Sequence, residues 1–180
     1  MKKIIYSPGE PSGIGPDLII KLSSSKLWED LKIPIVSIGD PKLFIDRAAL
    51  LKKKIKIIEL ESLNEVSKNT KGLIQIIKVT KCFNTRPGKL SKSNAQYVLN
   101  NLTYSIEQTM QNEGTALVTG PLSKENIISI DKLFTGHTEY IKKITKSKDV
   151  LMMLASDQLR VALSTTVSYT HLTLPTNREV

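Results

Sequence analysis

Three short segments carry side chains whose types and spacing could do chemistry. The first, Gly9-Glu10-Pro11-Ser12-Gly13-Ile14-Gly15-Pro16, is glycine-rich. Set between a strand and a helix, such a turn can bring backbone N–H groups onto an anion. It matches neither common phosphate fingerprint: a dinucleotide G-x-G-x-x-G needs glycine where Leu18 stands, and no G-K-[ST] follows at P-loop spacing. Glycines that only turn the chain sharply against a sheet explain the same pattern, and physics alone favours that reading. The second segment, Val118-Thr119-Gly120-Pro121-Leu122-Ser123-Lys124, leaves a strand through Gly-Pro and enters a helix. Carboxyl ends of strands face the ligand crevice of an open α/β sheet, so Thr119, Ser123 and Lys124 stand where a substrate could be held. Lys124 would neutralise a phosphate or carboxylate; an ordinary turn with a solvated lysine fits equally well. The third, Thr135-Gly136-His137-Thr138-Glu139, holds one of two histidines. If Thr138 caps a helix, a phosphate or hydroxyl would meet imidazole, hydroxyl and helix N-terminus together. A lone histidine is more often structural. No H-x-x-x-H or H-E-x-x-H supports zinc, and no Ser-His-Asp or Cys-His set is defensible.

Composition narrows the partners. The chain has 180 residues, 26 Lys+Arg against 17 Asp+Glu, a net charge of +9 and 40% hydrophobic residues. That is enough for a core and suits one domain or half of a two-lobed enzyme. The lysines are scattered among isoleucines and asparagines, and aromatics are only 5%. Nucleic-acid binding would want a basic stripe interleaved with aromatics, so no nucleic-acid partner is expected. No apolar run is long enough to span a bilayer, and Ile4-Ile5-Tyr6 is too short for a signal-peptide core. Cys82, the one cysteine, excludes an intramolecular disulfide and a cysteine-based metal cluster. A cytoplasmic protein without membrane partners is expected.

Strands are expected at Lys3–Ser7, Ile33–Ile38, Ile55–Leu60, Leu73–Val79, Ala116–Thr119, Val150–Ala155 and Leu159–Thr165. Pro16 opens a helix, with Asp17 in its first turn. Asp40 caps another that Pro41 starts and that runs to about Lys52. Cys82–Leu90 reads as a loop, after which Ser91 or Ser93 caps a long helix to about Asn112. Its apolar face is Ala95, Val98, Leu99, Leu102, Ile106 and Met110, at helical spacing. Ser123–Ile130 and Thr138–Ile144 are short helices. Strand and helix alternate without tight hairpin signals, which predicts an α/β fold with a largely parallel sheet.

Together, GEPSGIGPD at 9–17, VTGPLSKE at 118–125, FTGHTEY at 134–140 and VLMMLASDQLRVALSTT at 150–166 resemble the bacterial 4-hydroxythreonine-4-phosphate dehydrogenases of pyridoxal 5′-phosphate (vitamin B6) biosynthesis. PGKLSKSNAQYVLNNL at 87–102 fits the helix between the first two motifs. The resemblance implies a three-layer α/β/α fold of the isocitrate/isopropylmalate dehydrogenase type, here truncated, and a homodimer. It implies NAD-dependent oxidation of the C3 hydroxyl of 4-phosphooxy-L-threonine, a phosphorylated small molecule. Decarboxylation to 3-amino-1-hydroxyacetone 1-phosphate follows. A divalent metal (Zn, Mg or Co) would polarise the hydroxyl and stabilise the enolate. The family's substrate-contacting His-Thr pair falls on His137 and Thr138, with Lys124 and Thr119 as neighbours.

The departures are specific. The resemblance covers residues 1–166, the N-terminal half of the family. Where the family's first metal histidine would follow Thr165-Thr166, this chain has Val167. The resemblance places the other metal ligands and most of the NAD site in the other half, so no metal ligand is assigned in this chain. The segment VSYTHLTLPTNREV, residues 167–180, departs from the family and resembles translated vector sequence. His171 within it is out of register for a metal ligand. Two alternatives stand beside the leading reading: a paralogue oxidising a phosphorylated threonate or related hydroxy acid, and a half-domain that binds a phosphorylated ligand without turnover. A fold cut at this point leaves unpaired edges and apolar surface, so poor solubility is expected of the isolated 180-residue product.

Overall fold

The computed structural model describes residues 2–163. They form two compact units, with the boundary after Phe134. In the first, β1 (Lys3–Ser7), β2 (Ile35–Ile38), β3 (Lys56–Leu60), β4 (Leu73–Ile77) and β5 (Thr115–Thr119) make one sheet in the order β3-β4-β2-β1-β5. Every neighbouring pair is parallel. Short, almost continuously apolar runs suit strands covered on both faces, and β2 is buried throughout. It begins at Ile35 rather than Ile33 because Pro34 has no N–H for a ladder; the Pro34 carbonyl instead accepts from the Ile4 N–H at 2.9 Å.

Register sorts the side chains into two faces. Ile5, Val36, Ile38, Leu60 and Ile77 point to one, where Leu63 and Val66 close the core and Tyr104 of α4 (Ala95–Gln111) packs. Ile4, Tyr6 and Ile35 point to the other, toward α1 (Gly15–Ser23). The short α2 (Leu27–Asp30) follows α1 and buries Trp28; its single turn is too short for a periodic signal and was not expected. Beside α1 lies α3 (Pro41–Leu50), capped as expected by Asp40, whose carboxylate accepts from the Lys42 N–H at 3.1 Å. Helices on both faces of a parallel sheet make the three-layer α/β/α arrangement.

Two expectations for α4 fail for identifiable reasons. Neither Ser91 nor Ser93 caps it: a 3-10 turn at Lys92–Asn94 leads in, and the two serine hydroxyls bond each other at 2.8 Å. Asn94 occupies the cap position, but its side chain grips both the N–H and the C=O of Phe83, each at 2.8 Å. Met110 is 58% exposed. The buried stripe of α4 runs through Asn101 and Ser105 toward half-buried Thr109, whose hydroxyl donates to the Ser105 carbonyl at 2.7 Å. An apolar count misses such a polar stripe.

After β5, α5 (Lys124–Ile128) starts from Ser123, whose hydroxyl accepts from the Asn126 N–H at 3.3 Å. The second unit contains α6 (His137–Thr145) and two strands, β6 (Met152–Ala155) and β7 (Arg160–Leu163). These strands pair antiparallel, against the expectation that hairpins are absent. Their turn uses no glycine, proline or asparagine. The Ser156 hydroxyl accepts from the Leu159 N–H at 3.1 Å, and the Ser156 N–H donates to the Leu159 carbonyl at 2.8 Å. Among the described residues no helix is long and apolar enough to cross a membrane.

Candidate functional site

The interior strand β1 has β2 on one side and the edge strand β5 on the other, and the chain visits β2, β3 and β4 before reaching β5. The carboxyl ends of β1 and β5 therefore flank a topological switch point, where open α/β sheets bind ligands. The segments leaving the two strands are laced together. The Gly120 N–H donates to the Ser7 carbonyl at 2.7 Å, and the Glu10 N–H to the Pro121 carbonyl at 3.0 Å. Contact is so close that a Cβ on Gly9, at φ +79°, would lie 2.2 Å from the Pro121 oxygen. One on Gly15 would lie 1.8 Å from the Pro8 oxygen.

This packing decides what the glycine-rich turn does. The Ser12 N–H donates to the Glu10 carboxylate at 3.2 Å, and the Gly13 N–H to the Glu10 carbonyl at 3.0 Å. With the N–H groups of residues 10, 12 and 13 spent internally, they form no cradle for an anion, and the glycines serve backbone approach. A buried ion pair fixes the turn from behind. Arg47 of α3 donates from Nε and Nη2 to the two carboxylate oxygens of Asp17, at 2.7 and 2.6 Å, and from Nη2 to the Gly13 carbonyl at 2.9 Å.

Glu10 itself escaped the sequence reading. It is buried, and both carboxylate oxygens are occupied. Oε1 accepts from the Ser12 hydroxyl at 2.7 Å as well as from the Ser12 N–H, and Oε2 accepts from Asn126 Nδ2 at 3.1 Å. Asn126, also buried, donates from the same nitrogen to the Ser91 carbonyl at 3.0 Å. The available signal was a carboxylate between glycine and proline in an otherwise uncharged turn.

The predicted site residues fall in two places. Thr119 ends β5 and is exposed, and Lys124, also exposed, opens α5 five residues on; both lie at the carboxyl end of β5. Thr119 borders an apolar cavity of about 280 Å³ with Ile4, Tyr6, Leu18, Leu22 and Val118. The Tyr6 hydroxyl donates to the Gly15 carbonyl at 2.9 Å, and burial pushes its pKa up to about 12. Lys124 does not border that cavity, whose lining suits hydrocarbon rather than phosphate.

His137 and Thr138 belong to the second unit. Both are half-buried, at the first and second positions of α6. Thr138 does not cap the helix. Gly136 does, at φ 156° and ψ −177°, a conformation open essentially to glycine alone, so the helix starts one residue earlier than expected. A glycine cap brings no side-chain bond, and the first backbone bond runs from the Tyr140 N–H to the Gly136 carbonyl at 3.1 Å.

A second cavity, about 250 Å³, lies beside Asp40, Asp46, Cys82 and Thr85. Burial first, and then the Asp40 charge, push the Cys82 thiol up to about 12, so it is not an activated nucleophile. Among the described residues no group of three or more His, Cys, Asp or Glu side chains comes together to hold a metal. Val167 and His171 lie outside the described residues.

Comparison with known proteins agrees with this architecture. Residues 30–174 match the family described as pyridoxal phosphate biosynthetic protein PdxA. A 4-hydroxythreonine-4-phosphate dehydrogenase of Citrobacter koseri is 36% identical over 166 residues, covering 92% of this chain and 49% of that protein. One of Yersinia pseudotuberculosis is 35% identical over 164 residues, covering 91% and 48%. The crystal structure of a 4-hydroxythreonine-4-phosphate dehydrogenase from Klebsiella pneumoniae superposes with a TM-score of 0.80 at 25% identity, over 89% of this chain and 49% of that one. One from Burkholderia phymatum shares the fold, with a TM-score of 0.79 at 24% identity. The chain thus spans about half the length of the curated relatives it matches. With a match that takes in α3, every strand from β2 onward and the His137 helix, the chain belongs to the PdxA family.

Proposed function

We propose that this chain is the N-terminal half of an NAD-dependent 4-hydroxythreonine-4-phosphate dehydrogenase of pyridoxal 5′-phosphate biosynthesis. The complete enzyme oxidises the C3 hydroxyl of 4-phosphooxy-L-threonine and releases CO2, leaving 3-amino-1-hydroxyacetone 1-phosphate. The observation that carries this reading is the family match across residues 30–174. In this reading residues 1–166 are the family portion, the tail after it is foreign at least beyond residue 174, where the family match ends, and the working enzyme is a cytoplasmic homodimer.

Within this half, His137 and Thr138 hold the substrate by hydrogen bonds from the start of α6. Lys124 neutralises charge at the carboxyl end of β5, and Thr119 beside it offers a hydroxyl. NAD, when bound, supplies the hydride acceptor, and a divalent metal would supply a Lewis acid for the substrate oxygen. Among the described residues neither group finds a fit: no metal-ligand cluster is assembled, and the N–H groups of Glu10, Ser12 and Gly13 in the glycine-rich turn are spent on protein oxygens. No step is therefore assigned to either group in this half, and the isolated fragment is expected to be inactive.

The test is to express the full-length gene product and follow NADH absorbance with 4-phosphooxy-L-threonine and, separately, with a phosphorylated threonate. Turnover of the first with a kcat/KM well above the second is expected. Preference for the threonate would overturn the substrate assignment in favour of the paralogue. Binding without NADH from either would leave a ligand-binding protein.

A further inference from the structure

We infer that Glu10 is a positioning residue: its carboxylate latches the β1–α1 turn to the start of α5 and thereby sets where Lys124 stands. The kinetic part of this inference rests on the functional reading above; the structural part does not.

Burying a carboxylate is costly unless a cation or several donors compensate. Glu10 is 3% exposed, and among the described residues no basic side chain pairs with it: Asp17 takes Arg47 and Asp46 takes Lys42. Compensation among the described residues comes from hydrogen bonds, two from Ser12 to Oε1 and one from Asn126 to Oε2. A neutral glutamine of the same size could not replace it, because its NH2 would face the NH2 of Asn126. Two accepting oxygens are needed, and only a carboxylate has them.

The latch reaches three stretches of chain. Glu10 and Ser12 lie after β1, and Asn126 lies in α5 two residues beyond Lys124. The third stretch precedes α4, where the Ser91 carbonyl accepts from Asn126 and the Gly88 N–H donates to the Ser12 carbonyl at 2.8 Å. A five-residue helix has little stability of its own, so tertiary contacts must fix its place. Ile127, fully buried, and the Glu10–Asn126 bond provide them. Lys124 itself is exposed and has no such anchor.

The experiment uses the full-length enzyme with Glu10→Gln, Asn126→Asp, the exchanged pair Glu10→Gln/Asn126→Asp, and the milder Ser12→Ala. Glu10→Gln, which loses one charge-assisted hydrogen bond, should raise KM for the phosphorylated substrate by about tenfold and leave kcat within about twofold. Asn126→Asp, which sets two buried carboxylates against each other and removes the donor to the Ser91 carbonyl, should raise KM further in the same way. The exchanged pair, with amide and carboxylate reversed, should lie closer to wild type than Asn126→Asp alone, a recovery that general destabilisation does not give. Ser12→Ala should show a smaller rise of the same kind, and it decides the matter if the stronger variants fail to fold. Amide hydrogen exchange should quicken in residues 9–15 and 121–126 together while β1 and β2 keep their protection. An unchanged KM, a fall in kcat without a KM effect, or exchange that quickens in only one of the two segments overturns the latch. If the unaltered enzyme does not turn over 4-phosphooxy-L-threonine, the functional reading fails, and the exchange result alone decides the latch.

Discussion

Arg47 and Asp17 meet through two parallel hydrogen bonds of 2.7 and 2.6 Å, a bidentate pair that ties α3 to α1. Their side chains are 6% and 18% exposed, so the pair is shielded from solvent and salt. Removing Arg47 leaves the half-buried Asp17 carboxylate unmatched. Arg47→Ala is expected to cost about 2–3 kcal/mol, the loss of charged hydrogen bonds, read from the denaturant midpoint. Arg47→Lys should recover little, because a lysine cannot span both carboxylate oxygens and the Gly13 carbonyl. A loss under about 1 kcal/mol for Arg47→Ala would mean the pair contributes no more than a surface ion pair.

Two glycines of similar backbone conformation separate the effect of dihedral strain from that of close approach. Gly9 has φ +79° with the Pro121 oxygen 2.2 Å from where a Cβ would stand, and Gly88 has φ +75° with nothing within 4 Å. Gly88→Ala should cost about 1 kcal/mol, the strain alone. Gly9→Ala should cost about 3 kcal/mol or more, because the β1–α1 and β5–α5 segments must move apart. Equal losses in thermal unfolding would show that the two segments are not held together as described.

Cys82 gives a pH prediction with a definite sign. Its thiol is raised from 9.0 to about 12 in the folded protein, so the native state keeps a proton that the unfolded chain gives up. The stabilisation is fully present below pH 9 and is lost as pH rises from there toward 12. Cys82→Ser should flatten that part of the stability curve. At pH 8 a thiol-alkylating reagent should react with the folded protein more than about tenfold slower than with the unfolded chain. Equal rates would place the thiol in solvent.

For the substrate contacts, Lys124→Met and His137→Ala in the full-length enzyme should each lower kcat/KM by about 10–100-fold, with melting temperatures little changed. Gly136→Ala should act through His137, since alanine cannot hold the φ of 156° that starts α6 where it does. A Lys124→Met enzyme with unaltered kinetics would return that lysine to an ordinary solvated surface role.

Sequence spacing made some of this legible and hid the rest for physical reasons. Local chemistry placed β1 at Lys3–Ser7 and the Asp40 cap before Pro41, because strand runs and caps are written in adjacent residues. The sequence reading put Thr119 and Lys124 at a strand's carboxyl end, where both are found. It missed side chains that serve distant backbone. Asn94 resembles a helix cap but holds Phe83, and Ser156 makes a hairpin turn without the glycine or asparagine that most strongly announces one. The Glu10–Asn126 bond joins residues 116 apart, a distance over which no spacing rule reaches.

The strand order also bears on how the chain is made. β1 leaves the ribosome before the other strands of its sheet, yet it stays an edge strand until Lys3 aligns with Thr115 and β5 covers its free side. At about 5–20 residues per second, one flank of that strand stays unpaired on the order of ten seconds after synthesis begins. Ile4 and Ile5 spend that interval without their β5 neighbours Ala116 and Leu117. Nascent chains of this protein should therefore engage chaperones before residue 119 emerges, and a stall in translation just short of β5 should leave them prone to aggregate.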